Sequence, residues 1–431
     1  MPSHSLILPN PPACQRLVIA LSGGVDSMVL LHWLSVWQRL HRPSLPLLAI
    51  HVNHGLSANA EAWQNFVGDF CTRENIPLEV EYVTVLNAGE GIEQAARKAR
   101  YSAFEKHLKL GDLLVMGHHA NDQAETFLLR LMRGAGVQGL SAMPPLRKLN
   151  HGLLWRPFLS TPKQDLLAYA RTHQLQWVED ESNQQQKYSR NFLRTSVSPL
   201  LAQHWPDATV KINHAAVHLQ EAQNLLDEYA AQDLMAADPR REKLGCSLCL
   251  IALAAFSWSR QKQLIRYWLK SLGYLAPEAI HFDELCKIIF AKNDAKPMLQ
   301  IGYYTFSRFK QRLYILPKLT IITTTEPVIF SDEVFLPDGS VCRVEGLAQA
   351  HTITVKWRQG GERAHPEGRG HSQTLKKLLQ EYQVPPWLRE RVPLLFINDT
   401  LIAVADYWLE QGAKAMFGAN LTVSWRFDST I

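Results

Sequence analysis

Two patterns of apolar and polar residues alternate over the first third of the chain. Apolar runs at Arg16–Leu21 (RLVIAL) and Leu45–Val52 read as buried strands, and Leu78–Val85 and Leu113–Gly117 also read as strands. Between them lie helical spacings. Ser27–Leu40 places Val29, Leu30, Trp33, Leu34 and Trp37 on one face, and Pro43 and Pro46 separate it from the next strand. Ala58–Glu74 follows, with Ser57 placed to cap it, then Gly91–Lys109 and His119–Arg133. Buried apolar strands alternating with amphipathic helices predict βαβ units and a parallel sheet covered on both faces.

Further helical spacings cover Pro162–Leu175 and Asn191–Leu201, and the α/β part is expected to end near residue 215. Asn213–Ala237 reads as one long helix. Residues 240–315 read as more helices, notably Ser257–Leu272, with the apolar run Cys246–Phe256 as a buried one. From about Thr320 the chain turns to Thr- and Val-rich strands around one helix at Gln373–Tyr382. Three domains are therefore expected: residues 1–215, parallel-sheet α/β; 216–320, helical; and 321–431, small α+β.

Composition changes this picture little. At 46% hydrophobic and 20% charged residues the chain is ordinary for a globular protein. Met1–Cys14 is Pro-rich without a basic stretch before an apolar run, which argues against a secretory signal, and Cys246–Phe256 is too short to span a membrane. The six cysteines are scattered, which points to a reducing compartment, the cytoplasm, rather than a disulfide framework. Cys246 and Cys249 form a CxxC without a second pair, read as two small apolar side chains on one helical face rather than a metal site. The net charge of +5 permits an anionic partner.

The chemistry is concentrated between the first strand and the first helix, in Ser22, Gly23, Gly24, Val25, Asp26 and Ser27. Paired glycines allow a sharp turn and close backbone approach to a ligand. The helix N-terminus favours an anion there, and the two serines add hydroxyl donors for phosphate oxygens. The loop lacks the lysine of GxxxxGK[ST] loops. Asp26 would repel phosphate, so it calls for Mg²⁺ or a backbone N–H beside it.

Asp122 and Glu125, three apart, share a helical face beyond the fourth strand. They can hold Mg²⁺, bind an ammonium or take a proton from an amine; a solvated helix face is the plain alternative. His118 and His119 beside them suit either phosphate and ribose contact or a structural place. Arg97 and Arg100 can stabilise charge on a phosphoryl group or form surface salt bridges. Arg190 and Arg194 share a face next to the acidic EDESN, which also allows a local ion pair. His51 and His54 follow the second strand, where a nucleotide base sits in such folds. Basic residues with aromatics recur at Arg260, Lys262, Arg266, Trp268 and Lys270. They recur again at Arg363, Arg369, His371, Lys376, Lys377, Arg389 and Arg391 around Trp387, patterns that suit RNA phosphates or a soluble helix face.

SGGVDS resembles the loop of the ATP-pyrophosphatase superfamily, which holds the pyrophosphate leaving group. Other segments resemble the tRNA(Ile)-lysidine synthase family: HVNHGLS (His51–Ser57), ARKARY (Ala96–Tyr101), GHHANDQAETFLLRLMRGAG (Gly117–Gly136), RPFL (Arg156–Leu159), EDESNQQQKYSRNFLR (Glu179–Arg194) and LKKLLQ-x4-PPWLR (Leu375–Arg389). Residues 216–320 match only by position and helical character. Asn121 stands where many members carry a second Asp.

The resemblance implies a two-step reaction with ATP and Mg²⁺. Carbon-2 oxygen of the wobble cytidine in the isoleucine tRNA with a CAU anticodon attacks the α-phosphate. Free L-lysine then displaces AMP from carbon 2, giving lysidine and moving codon reading from AUG to AUA. It implies catalytic roles for Asp122, Glu125, Arg97 and Arg190, and nucleotide contact from residues 22–27, His51 and His54; no metal ligand is assigned. A sulfur transferase of the same superfamily needs a reactive cysteine or an iron–sulfur cluster near the loop, and only Cys14 and Cys71, unpaired, lie in the first domain. A non-catalytic nucleotide-dependent RNA-binding module is the remaining alternative, excluded if mixing ATP and tRNA releases pyrophosphate.

Overall fold

The computed structural model describes residues 6–55, 57, 59–85, 92–179, 189–291, 297–318 and 328–427, with side chains at all of these except 92, 93 and 279. Leu56, Ala58, Gly91, Thr320 and residues 180–188, on which parts of the sequence reading fall, lie outside them. The chain divides into two compact units, Met1–Leu225 and Leu226–Ile431.

The first unit follows the alternating pattern. β1 (Arg16–Ala20), α1 (Val25–His41), β2 (Leu47–Asn53), α2 (Ala60–Arg73), β3 (Leu78–Tyr82), α3 (Ile92–His107), β4 (Asp112–Val115) and α4 (Ala120–Met132) succeed one another. Then come α5 (Val137–Leu140), β5 (Leu146–Leu149), β6 (Gly152–Trp155) and α6 (Lys163–Thr172). A helical run closes the series: α7 (Ser189–Phe192), a π-turn at Leu193–Val197, α8 (Ser198–His204) and α9 (Ala208–Ala236), which crosses the boundary between units.

The sheet order is β3-β2-β1-β4-β6-β5, parallel except for β5. Residue alternation along β1 shows why both faces are covered. Leu17 and Ile19 pack with Met28, Leu31 and Leu166 on one side, while Val18 packs with Phe104 and Leu114 on the other. Each such fully buried aliphatic side chain contributes about 1.5–3 kcal/mol. The chain winds outward from β1 to β3 and then returns to place β4 on β1's other side. The crevice between β1 and β4 is thus the switch point, where open α/β sheets bind ligands.

Some local expectations change. The N-cap of α2 is Asn59, while the Ser57 hydroxyl accepts the Asn59 N–H at 3.1 Å one step earlier. The hairpin β5–β6, turning at Asn150 and His151, was not anticipated, because four-residue strands carry little periodicity.

The second unit contains the long helix's end, helices Trp258–Ser271 and Ala279–Ile289, and a five-stranded antiparallel sheet that the sequence reading lacks. One of its strands is Cys246–Cys249, paired with Arg312–Pro317, followed by the short helix Leu250–Ala254. This corrects the reading of Cys246–Phe256 as a helix. On a strand, positions three apart face opposite ways, so the two cysteines do not share a face.

The tail forms short antiparallel strands around helix Leu375–Glu381, whose Leu375, Leu378 and Leu379 enter a core shared with Leu244, Tyr314 and Leu316. Most of the basic residues singled out downstream have partners. Arg260 pairs with Asp233, Lys270 with Asp227, Arg369 with Glu381, and Trp268 is buried. Trp387 packs against Phe309 and Tyr314. Among the described residues, no helix is long and apolar enough to cross a membrane.

Candidate functional site

The chain leaves β1 at Ala20 and turns through SGGVDS into α1. Gly23 has φ +89°, and a Cβ there would lie 2.9 Å from Cγ2 of Val178, so only glycine fits. The Gly23 carbonyl accepts the Val178 N–H at 3.0 Å, tying residues 177–179 across the loop. Gly24, the N-cap, has an ordinary φ of −70°. Ser27 fastens the turn: its hydroxyl donates to the Gly24 carbonyl at 2.9 Å and accepts the N–H groups of Ser22 and Gly23. The expected phosphate-binding hydroxyl at Ser27 is thus engaged inside the loop.

The loop after β4 touches this turn directly. A Cβ on Gly117 would lie 2.9 Å from the Asp26 carbonyl oxygen. His119 caps α4: its Nδ1 accepts the N–H of Asn121 at 3.2 Å and of Asp122 at 3.4 Å, while Asp122 Oδ2 accepts the His119 N–H at 3.0 Å. With Nδ1 accepting, the ring's N–H is at Nε2. Nε2 faces Asp122 Oδ2 at 3.4 Å and Asp26 Oδ2 at 3.7 Å.

The α4 carboxylates are not a solvated face. Glu125 is 3% exposed and accepts Nε of Arg190 at 2.9 Å and Nε of Arg194 at 2.8 Å. Both arginines also reach Asp122 Oδ1, at 3.0 and 3.3 Å. Two carboxylates and two guanidiniums form a quartet that joins α4 to α7 and its π-turn. Burial would raise the Asp122 carboxyl, but His119, Arg190, His118 and the His119 backbone N–H outweigh it and hold it well below the usual carboxylate range. His118 is pushed down to about 3, chiefly by burial.

These elements enclose a cavity of about 750 Å³. Ser22, Gly24, Val25 and Asp26 line it from the loop, His51 from β2 and His54 just after it, and Asp122 and Glu125 from α4 with its N-cap His119. His51 is buried, and its Nδ1–H donates to the Leu21 carbonyl at 2.9 Å, linking the ends of β2 and β1. Arg194 and Arg100 also line the cavity. Arg97 lies one turn from Arg100, its guanidinium 5.1 Å from the Tyr101 ring centroid, and is not part of this lining. Among the described residues, no group of three His, Cys, Asp or Glu is placed to hold a metal ion.

Sequence reasoning missed Lys163, Trp63 and Trp177, which line the same cavity. The signal for Lys163 was its place: a cation in a helix's first turn opposes the macrodipole and needs a local anion. Its Nζ lies 2.6 and 2.8 Å from the two carboxylate oxygens of Asp26. Asn121 accepts the Lys163 N–H at 3.1 Å, so this departure from the family's Asp does positioning work at the start of α6.

Comparison with known proteins agrees with this architecture. The chain matches a PP-loop domain over residues 5–201, a TilS substrate binding domain over residues 248–314 and a TilS substrate C-terminal domain over residues 353–425. It is similar to the tRNA(Ile)-lysidine synthase of Coxiella burnetii, 39% identical over 411 residues, covering 92% of this chain and 90% of that one. It is 42% identical to that of Pseudomonas syringae pv. tomato, covering 90% and 88%, and 38% identical to that of Vibrio vulnificus, covering 95% of each.

Proposed function

The chain belongs to the tRNA(Ile)-lysidine synthase family, and from that premise we propose how its cavity performs the two steps. It is an ATP-dependent ligase with a PP-loop domain. The observation that carries the reading is that the SGGVDS loop and the Asp122–Glu125 pair open onto one cavity at the sheet's switch point.

Ser22, Gly24, Val25 and the first amides of α1 grip the pyrophosphate part of ATP. The carbon-2 oxygen of the wobble cytidine attacks the α-phosphate, with Arg190 and Arg194 at hand for the charge that develops. The ammonium of free lysine is drawn to the oxygens of Asp122 and Glu125, in competition with the guanidiniums they hold. Asp122, with its low pKa, is better suited to attract that ammonium than to keep its proton. Asp26 and Asp122 both present oxygens to the cavity beside His119, and a Mg²⁺ that binds mainly through phosphates needs only one or two such carboxylates. They would hold it, and it would offset phosphate charge there.

A sulfur-transfer reading fits poorly. Burial raises the thiol pKa of Cys14 and pushes Cys71 up to about 11, the reverse of what a nucleophilic thiolate needs, and neither lines the cavity. Scattered cysteines support a reducing compartment, the cytoplasm, as its location. Incubation of the full chain with its tRNA, ATP and lysine, followed by mass spectrometry of the tRNA, tests the whole reading. We expect lysine incorporated at the wobble cytidine, with one AMP and one pyrophosphate per lysine. Sulfur incorporation from a sulfide donor, or absence of pyrophosphate, would overturn it.

Residues 216–320 and 321–431, most of which form the second unit, are the two RNA-binding parts that position the tRNA. Cutting the chain near 320 is a poor test, because Leu244, Tyr314 and Leu316 would lose their packing. Lys376 and Lys377 are exposed on the helix whose opposite face is buried, so their charge can be changed without touching the core. The double substitution Lys376→Glu/Lys377→Glu should weaken tRNA binding and leave melting unchanged. In a salt titration the slope of log K should shrink by about one per lost phosphate contact. Unaltered affinity and slope would remove this helix from the RNA interface.

A further inference from the structure

The loop lacks the lysine that reaches the phosphates in GxxxxGK[ST] loops, yet a lysine stands beside it. Lys163 begins α6, far from the loop in sequence, and its ammonium sits on both oxygens of Asp26. It is about a third exposed, on the side of the cavity that the loop lines. Its backbone is fixed by Asn121 at the start of α4, so the helix end is anchored while the side chain is long and jointed.

The pairing with Asp26 explains how a helix tolerates a cation at its positive end. It does not explain why the loop needs an acid at all, since an apolar pair would be stable without either charge. An exchangeable pair accounts for both residues. We infer that Lys163 moves from Asp26 to the β- and γ-phosphate oxygens of ATP and stabilises the departing pyrophosphate. This rests on the adenylation reading above.

In that step the cytidine oxygen forms a bond to the α-phosphorus. The bond from that phosphorus to the bridging oxygen breaks, and both electrons remain on the bridging oxygen. The leaving pyrophosphate carries the added negative charge. Lys163 takes part in no bond change and acts through its positive charge alone, while Asp26 is released to face the cavity. A lysine held at its own carboxylate is also available again once pyrophosphate departs.

The test compares the full-length wild type with Lys163→Gln, Lys163→Arg, Asp26→Asn and the Asp26→Asn/Lys163→Gln pair. Readouts are tRNA-dependent pyrophosphate release against ATP concentration, inhibition by added pyrophosphate, and thermal melting. Lys163→Gln should lower kcat for pyrophosphate release about 10²–10³-fold, the scale for losing one donor to developing charge. Inhibition by pyrophosphate should weaken, and Lys163→Arg should recover part of both. A lysine that only balances Asp26 would make the double variant equal to Asp26→Asn, whereas one that works on phosphate makes it slower.

Equality of those two, or a Lys163→Gln kcat within about twofold of wild type at saturating ATP, overturns the inference. If Lys163→Gln does not fold, the two Asp26→Asn proteins, which leave no carboxylate without a partner, decide alone. A wild-type enzyme that releases no pyrophosphate with tRNA and ATP fails the adenylation reading itself, a result separate from any effect of Lys163.

Discussion

A Gly24→Val enzyme should melt like the parent and yet lose tRNA-dependent pyrophosphate release. The structure makes this a clean substitution. Gly24 has φ −70° and ψ 158°, which valine adopts readily, and a Cβ built there meets only Ser22 Oγ, at 3.6 Å. The protein alone therefore gives no reason for glycine at 24. What remains is the ligand: Gly24 lines the cavity at the head of α1, where a branched side chain would hold phosphate off the amides. A displacement of about 1 Å at a reacting centre costs on the order of 10²-fold, and excluding the leaving group should cost more.

Gly23→Ala makes the contrast. With φ +89° and Val178 at 2.9 Å, alanine there is strained and should cost about 1–3 kcal/mol of stability. Melting curves, ATP binding and pyrophosphate release measured on both variants separate the two roles. A folded Gly24→Val enzyme with normal turnover would sink the assignment of this loop to phosphate.

What the sequence revealed divides along physical lines. β1, the SGGVDS turn and α1 are local: a buried apolar run, paired glycines and helical spacing stand next to each other. The Asp122–Glu125 face was equally legible, the two residues being three apart on one helix. Their partners were not. Arg190 lies 65 residues from Glu125 and Lys163 lies 137 from Asp26, and no periodicity reports a contact made by the winding of a sheet. Among the described residues the partners of Arg190 and Arg194 are long-range ones, and the EDESN segment considered for a local pair lies, beyond Glu179, outside them. Cys246–Phe256 went astray for another reason, because a short apolar run fits a strand and a buried helix equally well.

The long-range quartet sharpens what should follow at Asp122 and Glu125. Lysine arrives with an ammonium of pKa about 10.4 and cannot attack until it loses a proton. A carboxylate within hydrogen-bond reach attracts the ammonium first and eases that loss. Asp122→Asn keeps the size and leaves an oxygen able to accept the His119 N–H, so the cap on α4 survives. It removes the negative charge that both arginines and the incoming ammonium share. Pyrophosphate release should fall less than lysine transfer, and AMP should appear without lysidine as the adenylated tRNA hydrolyses.

Glu125→Gln should show the same partition with a stability loss as well. Its carboxylate is almost fully buried and holds both guanidiniums, so breaking it leaves two cations poorly paired, at a cost of up to about 3 kcal/mol. Partial exposure of Arg194 lowers that figure by solvent screening. Should the carboxylates serve Mg²⁺ in the first step instead, both variants would lose pyrophosphate release outright and raised Mg²⁺ would restore part of it. Pyrophosphate release and lysine incorporation, followed in the same reaction mixtures, decide between the two. Equal loss of both would remove lysine binding from Asp122 and Glu125 and leave the quartet as the device that aims Arg190 and Arg194 at the α-phosphate.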